Sequence, residues 1–200
     1  MGKQPVGSAK RRKRIGPEVR EKALAIARRL LLQRGPSAVT LANVGDELRM
    51  THANVLYHFG SAAGLQSALM EAMVNDLTIA LHHIVAVLGD EAIGPIVVVD
   101  RIFDAFDAGG AGPVCAWIIL SGKVEYLAPL RDALIVLVKA IADLEGGSRV
   151  DDRVRAALLM MTVAAFGDAV FGPHVRAMLG EMDDAMRVLV TRSLSLVSIR

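Results

Sequence analysis

A single cysteine, Cys115, in 200 residues leaves no partner for an intrachain disulfide and rules out a cysteine-based zinc site. Cys115 stands among Val114, Trp117, Ile118 and Ile119 and reads as a small buried apolar residue, with redox sensing as the alternative. Long apolar runs are missing too. The uncharged stretches Leu77 to Gly89 and Ala108 to Gly122 fall short of the about 18 apolar residues that a spanning helix needs, so no membrane segment is expected. The start MGKQPV lacks the apolar core of a secretory signal, and Val6 stands where a myristoylation motif needs Ser or Thr, which together point to the cytoplasm. No Ser-His-Asp set, carboxylate pair or cofactor motif stands out, so no enzyme and no cofactor is expected. His82 and His83 are neighbours that would point about 100° apart on a helix, and His174 has no ligand spacing, so no metal is expected. Gly109-Gly110-Ala111-Gly112-Pro113 has neither a preceding strand nor a following Lys-Ser/Thr, and reads as a connector rather than a phosphate loop.

What the chain does have is apolar content and a lopsided charge. Hydrophobic residues make up 53% of it, enough for one or two compact units with a substantial core. The formal net charge is only +2, but residues 1–60 carry 12 Lys and Arg against 4 Asp and Glu, net +8, leaving net −6 for the remainder. A polyanion would be drawn to one end and repelled by the other.

That cationic end contains TLANVGDELRMTHANVLYHF, Thr40 to Phe59. Leu41, Val44 and Leu48 repeat at helical spacing, Met50 interrupts, and Val55 and Phe59 sit one turn apart on a second short segment. Each segment opens with a threonine suited to capping. Two such faces meeting at a small core form a helix-turn-helix, a device that reads DNA. On the second helix Ala53, Asn54 and Tyr57 project away from the Val55 and Phe59 face and His52 stands at the exposed amino-terminal rim, whereas Val55, Leu56 and Phe59 read as core.

Around this motif the pattern is helical throughout, and the fold class is all-α. Residues 1–15, with the run Lys10-Arg11-Arg12-Lys13-Arg14, form a basic arm that would remain mobile. It could touch phosphates or the minor groove, act as a nuclear address, or merely solubilise. Pro17 suits a first helical turn, and Val19, Ala23, Ile26, Ala27, Leu30 and Leu31 make one apolar stripe up to Gly35-Pro36. Residues 16–60 are thus a three-helix head, and residues 61–200 a helical body. The body opens with a long helix from a Ser61 cap to about Leu88, a plausible lever, followed by helices over Ile93–Phe106, Pro113–Lys123, Leu127–Leu144, Val150–Phe171 and Glu181–Val197.

A basic arm, a three-helix head and a helical body resemble the TetR family of bacterial transcriptional regulators. The resemblance is carried by Thr40, Val44, Thr51, Val55, His58, Phe59, Gly60, Ser61 and Leu65, within Val19 to Leu69. Four departures stand out: Arg49 where the family usually has Gly, Leu56 where it commonly has Tyr, Ala62 for a frequent Lys, and Ala42-Asn43 for a basic and an acidic residue. Either the turn avoids positive φ or Arg49 accepts a strained conformation.

The resemblance implies a repressor bound as a homodimer to a palindromic operator on double-stranded DNA and released by a small-molecule effector. It assigns DNA contact to Lys10, Arg11, Arg12, Lys13, Arg14, Thr40, Arg49, Thr51, His52, Ala53, Asn54, Tyr57 and His58. Asn54 suits adenine, because its amide can pair with both N6 and N7; a solvated Asn54 and a packed terminal His58 are the structural alternatives. Val154, Leu158, Met161 and Ala165 on one helix, with Met182, Ala185, Met186, Leu189 and Val197 on the next, are the expected dimer interface, unless both stripes face the protomer's own core. Phe103, Phe106, Trp117, Tyr126, Met160, Met161 and Phe166 are candidates for an effector pocket, with Asp104 and Asp168 as polar handles, or else plain core. An effector-independent DNA-binding protein, controlled by a protein partner or acting architecturally, is the other reading, and an all-helical enzyme a further one.

Overall fold

A computed structural model describes residues 8–87, 95–144 and 152–197, with side chains over 16–86, 96–143 and 152–194. Ten α-helices and no strand occur among the described residues, so the fold is all-α. They are α1 (Ser8–Arg34), α2 (Leu41–Leu48), α3 (His52–Phe59), α4 (Ala62–Val87), α5 (Pro95–Phe106), α6 (Ala111–Leu120), α7 (Ala128–Leu144), α8 (Asp152–Val170), α9 (Gly172–Leu179) and α10 (Ala185–Val197). The chain divides into two compact units, Met1–Ala72 and Met73–Arg200, and α4 supplies residues to both. No single helix among the described residues is long and apolar enough to cross a membrane.

In the first unit, α1 starts at Ser8 rather than near Pro17 and takes the backbone of the basic run into the helix. The break expected at residue 15 is therefore absent. Lys and Arg are good helix formers, and Pro17 removes one backbone hydrogen bond without ending the helix. The side chains of Lys10, Arg11, Arg12, Lys13 and Arg14 lie outside the described residues. Ala23, Ala27, Leu30 and Leu31 are buried on the expected stripe. They pack with Leu41, Val44, Val55 and Phe59, which α2 and α3 bring to the same small core, and Leu65 and Leu69 at the start of α4 are buried as well.

The second unit is organised around α8, which packs against α5, α6, α7, α9 and α10. One stripe of α8, Val154, Leu158, Met161 and Ala165, is buried by these neighbours. It is protomer core and not the dimer interface expected from the sequence, because α5, α6 and α10 already cover it. Val98, Val99, Ile102 and Phe103 of α5 and Val114, Cys115 and Ile118 of α6 complete this core. At Gly112 the helices approach so closely that an added Cβ would lie 2.7 Å from the Ala169 Cβ. Burial pushes the Cys115 thiol up to about 11, so it stays protonated and inert at neutral pH.

The residues expected to line an effector pocket differ in exposure. Phe103, Phe106 and Met161 are buried in the core, Trp117, Tyr126 and Phe166 are half-buried, and Met160 faces outward. Phe106 meets Phe166 edge to face, an ordinary core contact. The proposed polar handles are occupied as well. Asp104 pairs with Arg187 at 2.7 Å, whose guanidinium also lies over the Phe103 ring, and Asp168 pairs with Arg176. A groove of about 520 Å³ opens elsewhere, along α7 and beside Arg155 of α8, and contains none of these residues.

Helix α9 was not foreseen. Phe171-Gly172-Pro173 ends α8, as expected, but proline is also favoured in a first helical turn, and eight helical residues follow before Gly180 closes them with φ 71°. Met182 therefore sits ahead of α10 rather than on it, exposed; Ala185 is half-buried, Met186 and Leu189 are exposed, and the Val197 side chain lies outside the described residues.

Candidate nucleic-acid interface

The two threonines cap as their positions suggest. The Thr40 hydroxyl accepts a hydrogen bond from the Asn43 amide at 3.1 Å, and the Thr51 hydroxyl one from the Asn54 amide at 3.3 Å. Each satisfies a donor that the first turn of a helix leaves free. Asn43 also donates its side-chain amide to the Ala38 carbonyl at 2.9 Å, which ties α2 to the preceding turn and accounts for Asn in place of an acid.

Between the two helices Arg49 adopts φ 56° and ψ 39°, the one non-glycine residue with positive φ among those described. Of the two possibilities open at this turn, the strained one is realised. An L-residue in this region costs roughly 1–2 kcal/mol relative to its ordinary conformation. The Arg49 amide reaches the Asp46 carbonyl at 3.1 Å and the Met50 amide the Gly45 carbonyl at 2.9 Å, so the tight turn closes regardless. The guanidinium of Arg49 is exposed beside the start of α3.

Helix α3 buries Val55 and Phe59 and leaves His52, Ala53, Asn54 and Tyr57 in solvent, with Tyr57 86% exposed and His58 half-buried. This is the division read from the sequence, save for Leu56, expected as core but 37% exposed. At about 100° per residue Leu56 falls between the buried and open faces, and no neighbour closes over it. Thr51 is exposed and Thr40 half-buried. The Tyr57 and His58 rings stand edge to face, 5.5 Å apart, which limits how each can swing.

Two contacts that sequence reasoning missed fix the far end of α3. Arg20 of α1 donates to the His58 carbonyl at 2.9 Å and lies 4.6 Å over the Phe59 ring. A guanidinium at a helix C-terminus satisfies an orphan carbonyl and opposes the negative end of the dipole. In the sequence Arg20 looks like one more surface cation. Gly60, with φ 73°, then turns the chain, Ser61 caps α4 by accepting from the Gly64 amide at 2.9 Å, and Gly64 passes under the end of α3. A Cβ on Gly64 would stand 2.1 Å from the Phe59 carbonyl oxygen. An ion pair between Arg29 and Glu47 joins α1 to α2, though its exposure makes it worth little.

The result is an exposed helix face, backed by a packed core, on a unit rich in Lys and Arg. Among the described residues no group of three or more His, Cys, Asp or Glu could hold a metal ion.

Residues 23–69 match the family model for bacterial regulatory proteins of the tetR family. Among solved structures, a protein from Saccharomonospora viridis classed as a transcriptional regulator, crystallised in complex with choline, matches with a TM-score of 0.64 and 18% identity, over 90% of this chain and 96% of that one. That likeness is one of fold. No curated protein matches the chain.

Two substitutions separate strain from packing in this corner. Arg49→Gly should raise the stability of the head by about 1 kcal/mol in thermal or denaturant unfolding, because glycine adopts the same φ freely. Gly64→Ala should lower it by about 1–3 kcal/mol despite alanine's better helix propensity, because a backbone oxygen blocks the methyl.

Proposed function

Because residues 23–69 match the model of the tetR family of bacterial regulatory proteins, we propose that the chain belongs to that family and is a sequence-specific repressor rather than an enzyme, acting in the cytoplasm as a homodimer on a palindromic operator. The observation that carries this reading is the open face of α3. His52 and Asn54 reach base edges in the major groove, Thr51, Tyr57 and His58 hold the backbone, and Thr40 and Arg49 add contacts beside the turn. The basic run Lys10 to Arg14 supplies phosphate contacts that offset Ala62 and Leu56, where relatives commonly carry a lysine and a tyrosine.

A single short helix reads few base pairs, so useful selectivity calls for two heads on successive major-groove faces, about 34–36 Å apart. The pairing surface we assign is the face of α8 opposite its buried stripe. There Leu159 is 66% exposed and Val163 59%, with Val170 in the same row, and Leu189 of the adjoining α10 is 57% exposed. An apolar row of this length left in water favours a second copy.

Release is assigned to a small apolar or amphipathic effector bound in the second unit. The Saccharomonospora viridis protein, of similar fold, was crystallised in complex with choline, which supports a small molecule as a ligand of this fold. Such a ligand acts only by favouring the released arrangement over the DNA-bound one, since equal affinity for both shifts nothing.

Asn54→Ala should relax preference at one base position of each half-site and weaken binding by about 1–3 kcal/mol per half-site, read by competition among operator variants. A loss equal for all sequences would remove Asn54 from base readout. Replacing Leu159 and Val163 together by Glu should give a monomer by light scattering, with helical content retained and operator affinity lowered at least tenfold. A dimer that survives both changes would place the interface elsewhere.

A further inference from the structure

The groove along α7 has a composition that the effector reading does not by itself specify. Leu127, Leu130, Leu134 and Val138 repeat at helical spacing and form its apolar floor, with Arg131, Ile135 and Lys139 in the adjacent row and Arg155 of α8 on the opposite wall. Three cations and no acidic side chain line it.

Those cations differ. Arg131 lies beside Asp132, with both Nε and Nη2 at 3.1 Å from the carboxylate, in an exposed pair. Lys139, near the C-terminal end of α7, and Arg155, in the first turn of α8, make no ion pair among the described residues. One end of the groove therefore holds two positive charges that no described carboxylate pairs with, and the rest is hydrocarbon beside Arg131. From Leu130 to Lys139 the helix rises about 14 Å, the extended length of a chain of roughly ten to twelve carbons.

We propose that the α7 groove binds a single-chain amphipathic anion, a medium-chain carboxylate, with its head group on Lys139 and Arg155 and its tail along Leu134, Leu130 and Leu127. The proposal rests on the effector reading above and gives it a ligand class. Charge complementarity decides against a cation of the choline type in this groove, because a quaternary ammonium would meet Lys139 and Arg155 without a carboxylate or an aromatic face among the lining residues to hold it. A volume of about 520 Å³ suits one such chain and is small for a folded peptide.

The test is calorimetric titration of the full chain with dodecanoate, dodecanol and dodecyltrimethylammonium, each below its aggregation threshold, repeated on Lys139→Gln/Arg155→Gln. Both positions are exposed, so the fold should survive, and circular dichroism checks that it does. The expected result is tightest binding of dodecanoate and at least a tenfold loss for the double variant, with dodecanol affinity unchanged. Equal or tighter binding of the ammonium compound, or a double variant that binds dodecanoate as well as the parent, would overturn the proposal. So would a double variant whose mass differs from that of the parent by light scattering, since the groove would then lie between two copies. So would capture on anionic vesicles that the double variant loses while binding no free dodecanoate, which would make the groove a bilayer-facing surface. Operator affinity measured on the same samples keeps the two readings apart. Dodecanoate that binds as expected but leaves DNA affinity unaltered supports the groove and contradicts only its control of release.

Discussion

The corner from His58 to Gly64 sets the direction in which α3 faces, and the proposed reading of DNA depends on that direction. Arg20 holds the end of the helix from the α1 side, through one carbonyl and one ring, while Gly64 lets the first turn of α4 slide beneath the Phe59 carbonyl. Neither contact touches DNA in the proposed mode. Together they convert an eight-residue helix, too short to be stable alone, into a fixed projection from a packed three-helix core. Base readout needs such fixity, because hydrogen bonds to groove edges tolerate little displacement.

The other end of the motif is held differently. Thr51 caps α3, but the turn before it places an arginine in a conformation that glycine adopts at no cost. Stability is given up at Arg49 while a cation is gained at the edge of the proposed interface. The same compromise runs through the head, where phosphate-binding side chains are absent at Leu56 and Ala62 and positive charge is abundant in α1. Binding that draws on diffuse charge supplies affinity and orientation, leaving selectivity to the few exposed side chains of α3.

Much of the head was legible in the sequence because its signals are local. Capping threonines, a three-residue break and apolar residues one turn apart define α2 and α3 without knowledge of the rest of the chain. What was missed there is nonlocal: Arg20 acts on α3 from 38 positions away, and nothing in the residues around Gly64 reports that a carbonyl lies over it. The body was harder for a plain reason. Helix α8 is apolar on two opposite faces, Val154–Leu158–Met161–Ala165 and Leu159–Val163–Val170, and periodicity cannot say which of them neighbouring helices will cover. By pattern the first suits a dimer surface, and in the fold it is core. Large apolar residues such as Phe103 and Phe106 likewise suggest a cavity or its filling equally well, whereas the α7 groove depends on Arg155 arriving from another helix. Helix α9 was hidden because Gly-Pro marks the end of one helix and the beginning of the next by the same chemistry.

In the proposed function the cationic first unit and the apolar, acidic second one divide the labour of a regulator, the one meeting a polyanion and the other offering apolar surface to a partner copy and a ligand. Selection of bound fragments from a pool of random duplexes at near-physiological salt tests the heart of this account. Enrichment of two inverted half-sites, with centres separated by about one helical turn of DNA or a multiple of it, is the result expected of an exposed α3 carried by a two-fold dimer. Fragments that show no shared sequence, retained only in proportion to their charge, would contradict it.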